Sequence, residues 1–173
     1  MKIRLILSCL LIPAALKAQM LNPTMNAKAE ATKMGKALVA KDYISFLKTT
    51  PPLALQHTEG GKEAMLKELK TQIDEMAKNG TYILRAWPGE PSNLIDTAKE
   101  LQCTIPQYME LKVEGGKVTS ETTLIGMSPD KGKTWYFIDV AGKPLNEFRE
   151  LFPTLSSKLV LPPAKEPVYV EDK

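Results

Sequence analysis

Histidine and cysteine are nearly missing from this 173-residue chain, which holds one histidine, His57, and two cysteines, Cys9 and Cys103. A single histidine excludes metal centres built on two or three imidazoles and leaves one imidazole for general-base work. A P-loop, Gly-x-Gly-x-x-Gly, Gly-x-Ser-x-Gly and a calcium-binding loop are also absent, which removes the usual nucleotide-binding, serine-hydrolase and calcium signatures. Nothing in the sequence calls for a cofactor or a metal. There is no internal repeat and no low-complexity tract.

The N-terminus reads as an export signal. Lys2 and Arg4 supply a positive start, Leu5 to Leu16 an apolar run broken by Pro13, and Ala18 a small residue before Gln19. Cleavage is expected after Ala18, giving a secreted or periplasmic protein. Lipid anchoring at Cys9 is the competing reading; Leu7 stands where a lipobox carries a small residue, and little apolar sequence precedes it. No later segment approaches the roughly 20 apolar residues of a membrane-spanning helix, so stable membrane insertion is not expected.

Losing that leader changes the balance of charge. It takes three of the 23 basic residues (Lys2, Arg4, Lys17) and leaves them equal in number to the 20 acidic ones. A neutral protein lacks the clustered cations that displace counterions from phosphates, so nucleic acid is not an expected partner. Only Cys103 would remain, so no internal disulfide can form and stability must come from packing.

The remaining 155 residues fit one domain, residues 19–155, followed by a Pro-rich tail, 156–173, that reads as extended and ending in disorder. Apolar residues at Ala29, Met34, Leu38 and Val39 predict a helix from Thr24, taken as its cap, to Val39. A short helix starts at Asp42 and ends at Pro51 and Pro52. After the loop 58–62, a third helix carries Met65, Leu66, Leu69, Ile73 and Met76 along one stripe and stops at Asn79 and Gly80.

From Tyr82 the period changes to two. Residues 82–87 read as a strand and 88–95 as a Pro- and Gly-punctuated connector. Leu101, Cys103 and Ile105, then Met109, Leu111 and Val113, alternate with polar neighbours, Pro106 being placed at a bulge or edge. Turns at 114–117 and 128–134 lead to strands over 118–127 and 135–140, an antiparallel meander. A final amphipathic stretch places Leu145, Phe148, Leu151 and Phe152 within helical reach. Helices first and a meander afterwards predict α+β, with N-terminal helices packed on a curved antiparallel sheet.

The most patterned stretch, "SPDKGKTW" at 128–135, resembles an Asp-box, a hairpin motif repeated in sialidases and other β-propellers, at Ser128, Asp130, Gly132, Thr134 and Trp135. Its logic is local: Asp130 can accept from backbone amides ahead of it, Gly132 can take positive φ, and Trp135 anchors the next strand. A propeller needs several four-stranded blades, which 155 residues with this much helix cannot supply, so these five residues are assigned to a structural turn. Glycan binding is the lesser alternative.

The order of elements, "DY-x-x-F" at Asp42, Tyr43 and Phe46, and "W-x-F-x-D" at Trp135, Phe137 and Asp139 together resemble the cystatin-like α+β roll of the nuclear transport factor 2-like superfamily. That resemblance implies a roll with a cone-shaped cavity, a fold that hosts enzymes, binding modules and assembly domains alike and so confers no function by itself.

Candidate chemistry is sparse. His57 would need a carboxylate such as Asp42 or Glu59 to act as a base. Cys103 alternates with core residues and reads as buried. Among the acids, Asp74, Glu75, Glu110, Glu114 and Asp139 form no evident pair, and Lys62, Lys67, Lys70 and Lys78 read as a solvated helix face. Trp87, Tyr82 and Tyr108 are candidate ligand-binding residues at the open end of the sheet. The leading expectation is a non-catalytic module that binds a small molecule, a cell-envelope component or, as a homodimer, a second copy. The alternative is a small cofactor-free acid/base enzyme acting on an organic molecule in the roll cavity.

Overall fold

The computed structural model describes residues 22–172, so the export signal, its cleavage after Ala18 and lipidation at Cys9 lie outside the described residues. Five helices and six strands follow in the order α1 (Pro23–Val39), α2 (Tyr43–Leu47), α3 (Pro52–His57), α4 (Gly61–Lys78), β1 (Tyr82–Pro88), β2 (Ile95–Asp96), β3 (Leu101–Val113), β4 (Gly116–Ser128), β5 (Tyr136–Asp139), α5 (Leu145–Leu151) and β6 (Val168–Glu171). The architecture is α+β, with helices preceding a strongly curled antiparallel sheet, a half-barrel compatible with a cystatin-like roll.

The long β3–β4 hairpin is the spine. It pairs without interruption from Leu101↔Ser128 to Val113↔Gly116. β1 and β2 flank the free edge of β3, while β5 and β6 flank that of β4. Alternation sends Cys103, Ile105 and Gln107 to the concave face and Gln102, Thr104 and Tyr108 to the convex one.

α1 lies across the concave face. Its start is capped by Asn22, whose Oδ1 accepts from the amides of Thr24 and Met25, and not by Thr24 itself. Gly35 lets the helix approach β1 closely: a Cβ there would sit 2.6 Å from the Ala86 carbonyl oxygen. Ala27, Ala31 and Met34 thereby reach Leu101, Cys103, Ile105, Leu124, Trp135 and Phe137, forming the first core. Burying this set removes apolar surface from water and stabilises the fold.

A second core forms on the convex face, where Ile125 and Met127 meet Val140, Phe152, Leu155 and Leu159, with Leu53 and Ala54 of α3 at its border. The C-terminal segment covers this side. The tail, residues 156–173, runs extended as expected over much of its length, but it buries Leu159 next to Leu155 and, where disorder was expected, adds β6 to the sheet, with Lys112 paired to Asp172.

One other expectation is revised, and the edge placement of Pro106 is made specific. Pro52 begins α3, because proline at the first helical turn gives up an amide that would lack a partner anyway. Pro106 lies inside the unbroken β3; its carbonyl accepts from Gly89 N at 2.7 Å, so its nitrogen also faces the β1 side, beyond the Pro88↔Gln107 pair where that ladder ends. The β3–β4 ladder loses nothing. α4 lays its stripe against α2, α3 and β1, but none of its residues is fully buried.

Candidate functional site

The Asp-box-like hairpin is a closed set of bonds. Asp130 Oδ1 accepts from Ser128 Oγ (3.0 Å), Lys133 N (3.1 Å) and Thr134 N (2.8 Å). Ser128 Oγ accepts from Gly132 N at 2.8 Å, and Trp135 Nε1 donates to Gly132 O at 3.1 Å. Gly132 has φ +89°, and a Cβ would lie 2.4 Å from Pro23 Cβ. Asn26 Nδ2 clamps the turn to α1 through Gly132 O and Lys133 O. The amides of Thr134 and Lys133 and the Ser128 hydroxyl hold the Asp130 carboxyl below its usual range, the Thr134 amide most strongly. These five residues fasten β4, β5 and α1 to one another.

The three aromatic candidates do not meet in a pocket. Trp87 and Tyr108 are cross-strand partners on the convex face, stacked with ring centroids 5.6 Å apart and 22° between planes, and Arg85 lies 4.6 Å over the Trp87 ring. Tyr82 is at the other end of β1, half exposed. His57 is the exposed last residue of α3. Cys103 is fully buried, and burial pushes its thiol up to about 12, which denies it the thiolate form a nucleophile needs.

Under α1 and α2 the concave face leaves a cavity of about 80 Å³ bordered by Met34, Phe46, Thr50, Gln107 and Asp139. Gln107 is 4% exposed; its Nε2 donates to the Tyr108 carbonyl at 3.3 Å, and its Oε1 meets no donor among the described residues. Asp139 accepts from Ala141 N (2.9 Å) and Thr122 Oγ1 (3.0 Å). Desolvation raises its carboxyl above the usual range against the pull of those two bonds. Its outer flank is open to solvent, which limits the displacement without reversing it.

A larger cavity is on the other side. A cleft of about 410 Å³ opens between α3, the end of the β4–β5 pair and the segment after α5, lined by Pro52, Leu53, Met127, Tyr136 and Phe152, with Gln56, Glu100 and Thr154 at its polar margin. Pro51 and Pro52 fix the turn into α3 and hold that wall. A polar clamp centred on the buried Gln102 holds the other. Gln102, 0% exposed, donates to Glu100 Oε1 (2.7 Å) and Thr154 O (3.0 Å) and accepts from Ser156 N (2.9 Å), and Thr154 Oγ1 donates to the same Glu100 oxygen (3.0 Å).

Glu100, Gln102 and Tyr136 are the functional candidates that sequence reasoning missed. The one available signal was a glutamine inside the Leu101–Ile105 alternation, on the side assumed to face solvent. The volume lies within the range of small-molecule sites, and mostly apolar walls with a few polar groups are their usual lining. Among the described residues no group of three or more His, Cys, Asp or Glu could hold a metal ion, and no described helix is long and apolar enough to cross a membrane. Comparison with protein-family models, curated proteins and solved structures finds no match to this chain.

Proposed function

We propose that the protein is an exported, non-catalytic binding module built on a cystatin-like roll of the nuclear transport factor 2-like superfamily, and that it holds a small, largely apolar molecule in the cleft between α3 and the C-terminal segment. The observation that carries this is the cleft itself, about 410 Å³ with apolar walls fixed by prolines on one side and by the Gln102 clamp on the other. Export is supported by Lys2, Arg4, the apolar run and Ala18; N-terminal sequencing of the protein from its native host should begin at Gln19. The absence of a catalytic role is supported by a buried thiol and an exposed, solitary imidazole.

The binding test uses N-phenyl-1-naphthylamine, a neutral dye that fluoresces in apolar sites. Saturable binding is expected for the wild type. Gln56→Trp, on the exposed side of α3, should fill the cleft and weaken binding about tenfold or more, while His57→Ala leaves it unchanged. Equal binding by the wild type and Gln56→Trp would refute the assignment.

One observation favours a second function, an acid/base enzyme working in the concave cavity: Asp139 borders that cavity with a raised carboxyl. Turnover of an organic substrate that disappears in Asp139→Asn, with the fold intact, would establish it over the binding module.

A further inference from the structure

The cleft carries a charge preference in its lining. Among the described residues Glu100 is the only charged side chain that borders it, and no lysine or arginine does. Its two side-chain hydrogen bonds, from Gln102 Nε2 and Thr154 Oγ1, both fall on Oε1. Oε2 accepts no hydrogen bond and joins no ion pair among the described residues, so the clamp fixes the carboxylate through one oxygen and leaves the other free to receive a donor. Two aromatic residues, Tyr136 and Phe152, line the same cleft and add the π surface that attracts organic cations. The remaining walls, Leu53, Met127 and Pro52 among them, suit an apolar body.

We infer that the cleft selects a small organic cation, an ammonium head on an apolar body, with the head at Glu100 Oε2 and the body along Met127, Tyr136 and Phe152. This rests on the cleft being the ligand seat. A carboxylate head would meet Glu100 as a like charge with no compensating cation, and an alcohol would gain a hydrogen bond without the ionic attraction.

The test compares three ligands of one shape, phenylbutylammonium, phenylbutanol and phenylbutanoate, by calorimetric titration of the full-length protein. The ammonium is expected to bind about tenfold tighter than the alcohol, and the carboxylate most weakly. Glu100→Gln keeps a carbonyl oxygen for Gln102 and Thr154 and removes the charge, so the ammonium's advantage over the alcohol should collapse. As a measurement on the unaltered protein, raising the salt concentration should narrow the ammonium's advantage. If the three ligands bind alike, if the carboxylate is preferred, or if Glu100→Gln leaves the preference intact, the inference fails while the cleft remains the seat. If neither they nor the naphthylamine dye binds, the cleft assignment falls with it.

Discussion

Replacing Asp130 by alanine removes one oxygen on which three donors converge, at 3.0, 3.1 and 2.8 Å. Bonds to an ionised acceptor contribute about 1.5–3 kcal/mol each when shielded. Lys133 and Thr134 are exposed, so their amides recover water when the carboxylate goes, and the net loss is closer to that of an exposed capping residue, about 2 kcal/mol. For a chain of this size that lowers Tm by about 4–8 °C. The sign of the pH dependence follows from the lowered carboxyl: its stabilisation is complete above the ordinary aspartate range and is lost as pH falls through the lower folded value. Urea unfolding followed by tryptophan fluorescence, with Trp135 buried beside the turn, reads the difference directly. Asp130→Ala should show an earlier midpoint at neutral pH, an unchanged slope, and a deficit that narrows only in acid. A variant as stable as the wild type at neutral pH would mean that the carboxylate does not hold the turn.

Other expectations concern the two faces of the sheet. Gln102→Ala leaves the Thr154 carbonyl and the Ser156 amide without their partner and should cost about 3 kcal/mol, read as an earlier urea midpoint together with faster proteolysis after residue 151; a loss below about 0.5 kcal/mol would show that the clamp is idle. In a chain carrying Cys9→Ser, Cys103 should resist a thiol reagent until the protein unfolds, and rapid labelling of the native state would contradict its burial. Asp139 has a raised carboxyl, so it favours the fold most below the ordinary aspartate range and loses that advantage as pH rises through the folded value. The stability of the wild type relative to Asp139→Asn should therefore fall as pH rises across that window, and an opposite slope would refute the direction assigned.

What was legible in the sequence followed the reach of each signal. α1, α4 and the β3–β4–β5 meander are written in local periodicity, and Asp42 caps α2 through the Ser45 amide as its position implies. Helix α3 was hidden because Pro51–Pro52 reads equally as a stop or as a start. The continuity of β3 through Pro106 depends on which side its nitrogen faces, which alternation alone does not reveal. β6 carries "VYV" within a Pro-rich context, and only the open edge of β4 gives it a partner. The cleft was the least legible feature. Glu100 and Gln102 meet Thr154 and Ser156 across more than fifty positions, and the face assumed to be solvated is covered by the chain's own end. Trp87 and Tyr108, chosen because they are aromatic, instead use their surface on each other and on Arg85.

The most direct test of ligand binding in the cleft is a methyl-detected NMR titration with N-phenyl-1-naphthylamine. Saturable shifts at the methyl groups of Leu53 and Met127 are expected, with Met34 and Leu38 beside the concave cavity unmoved. Shifts confined to Met34 and Leu38, or none at any of the four, would contradict it.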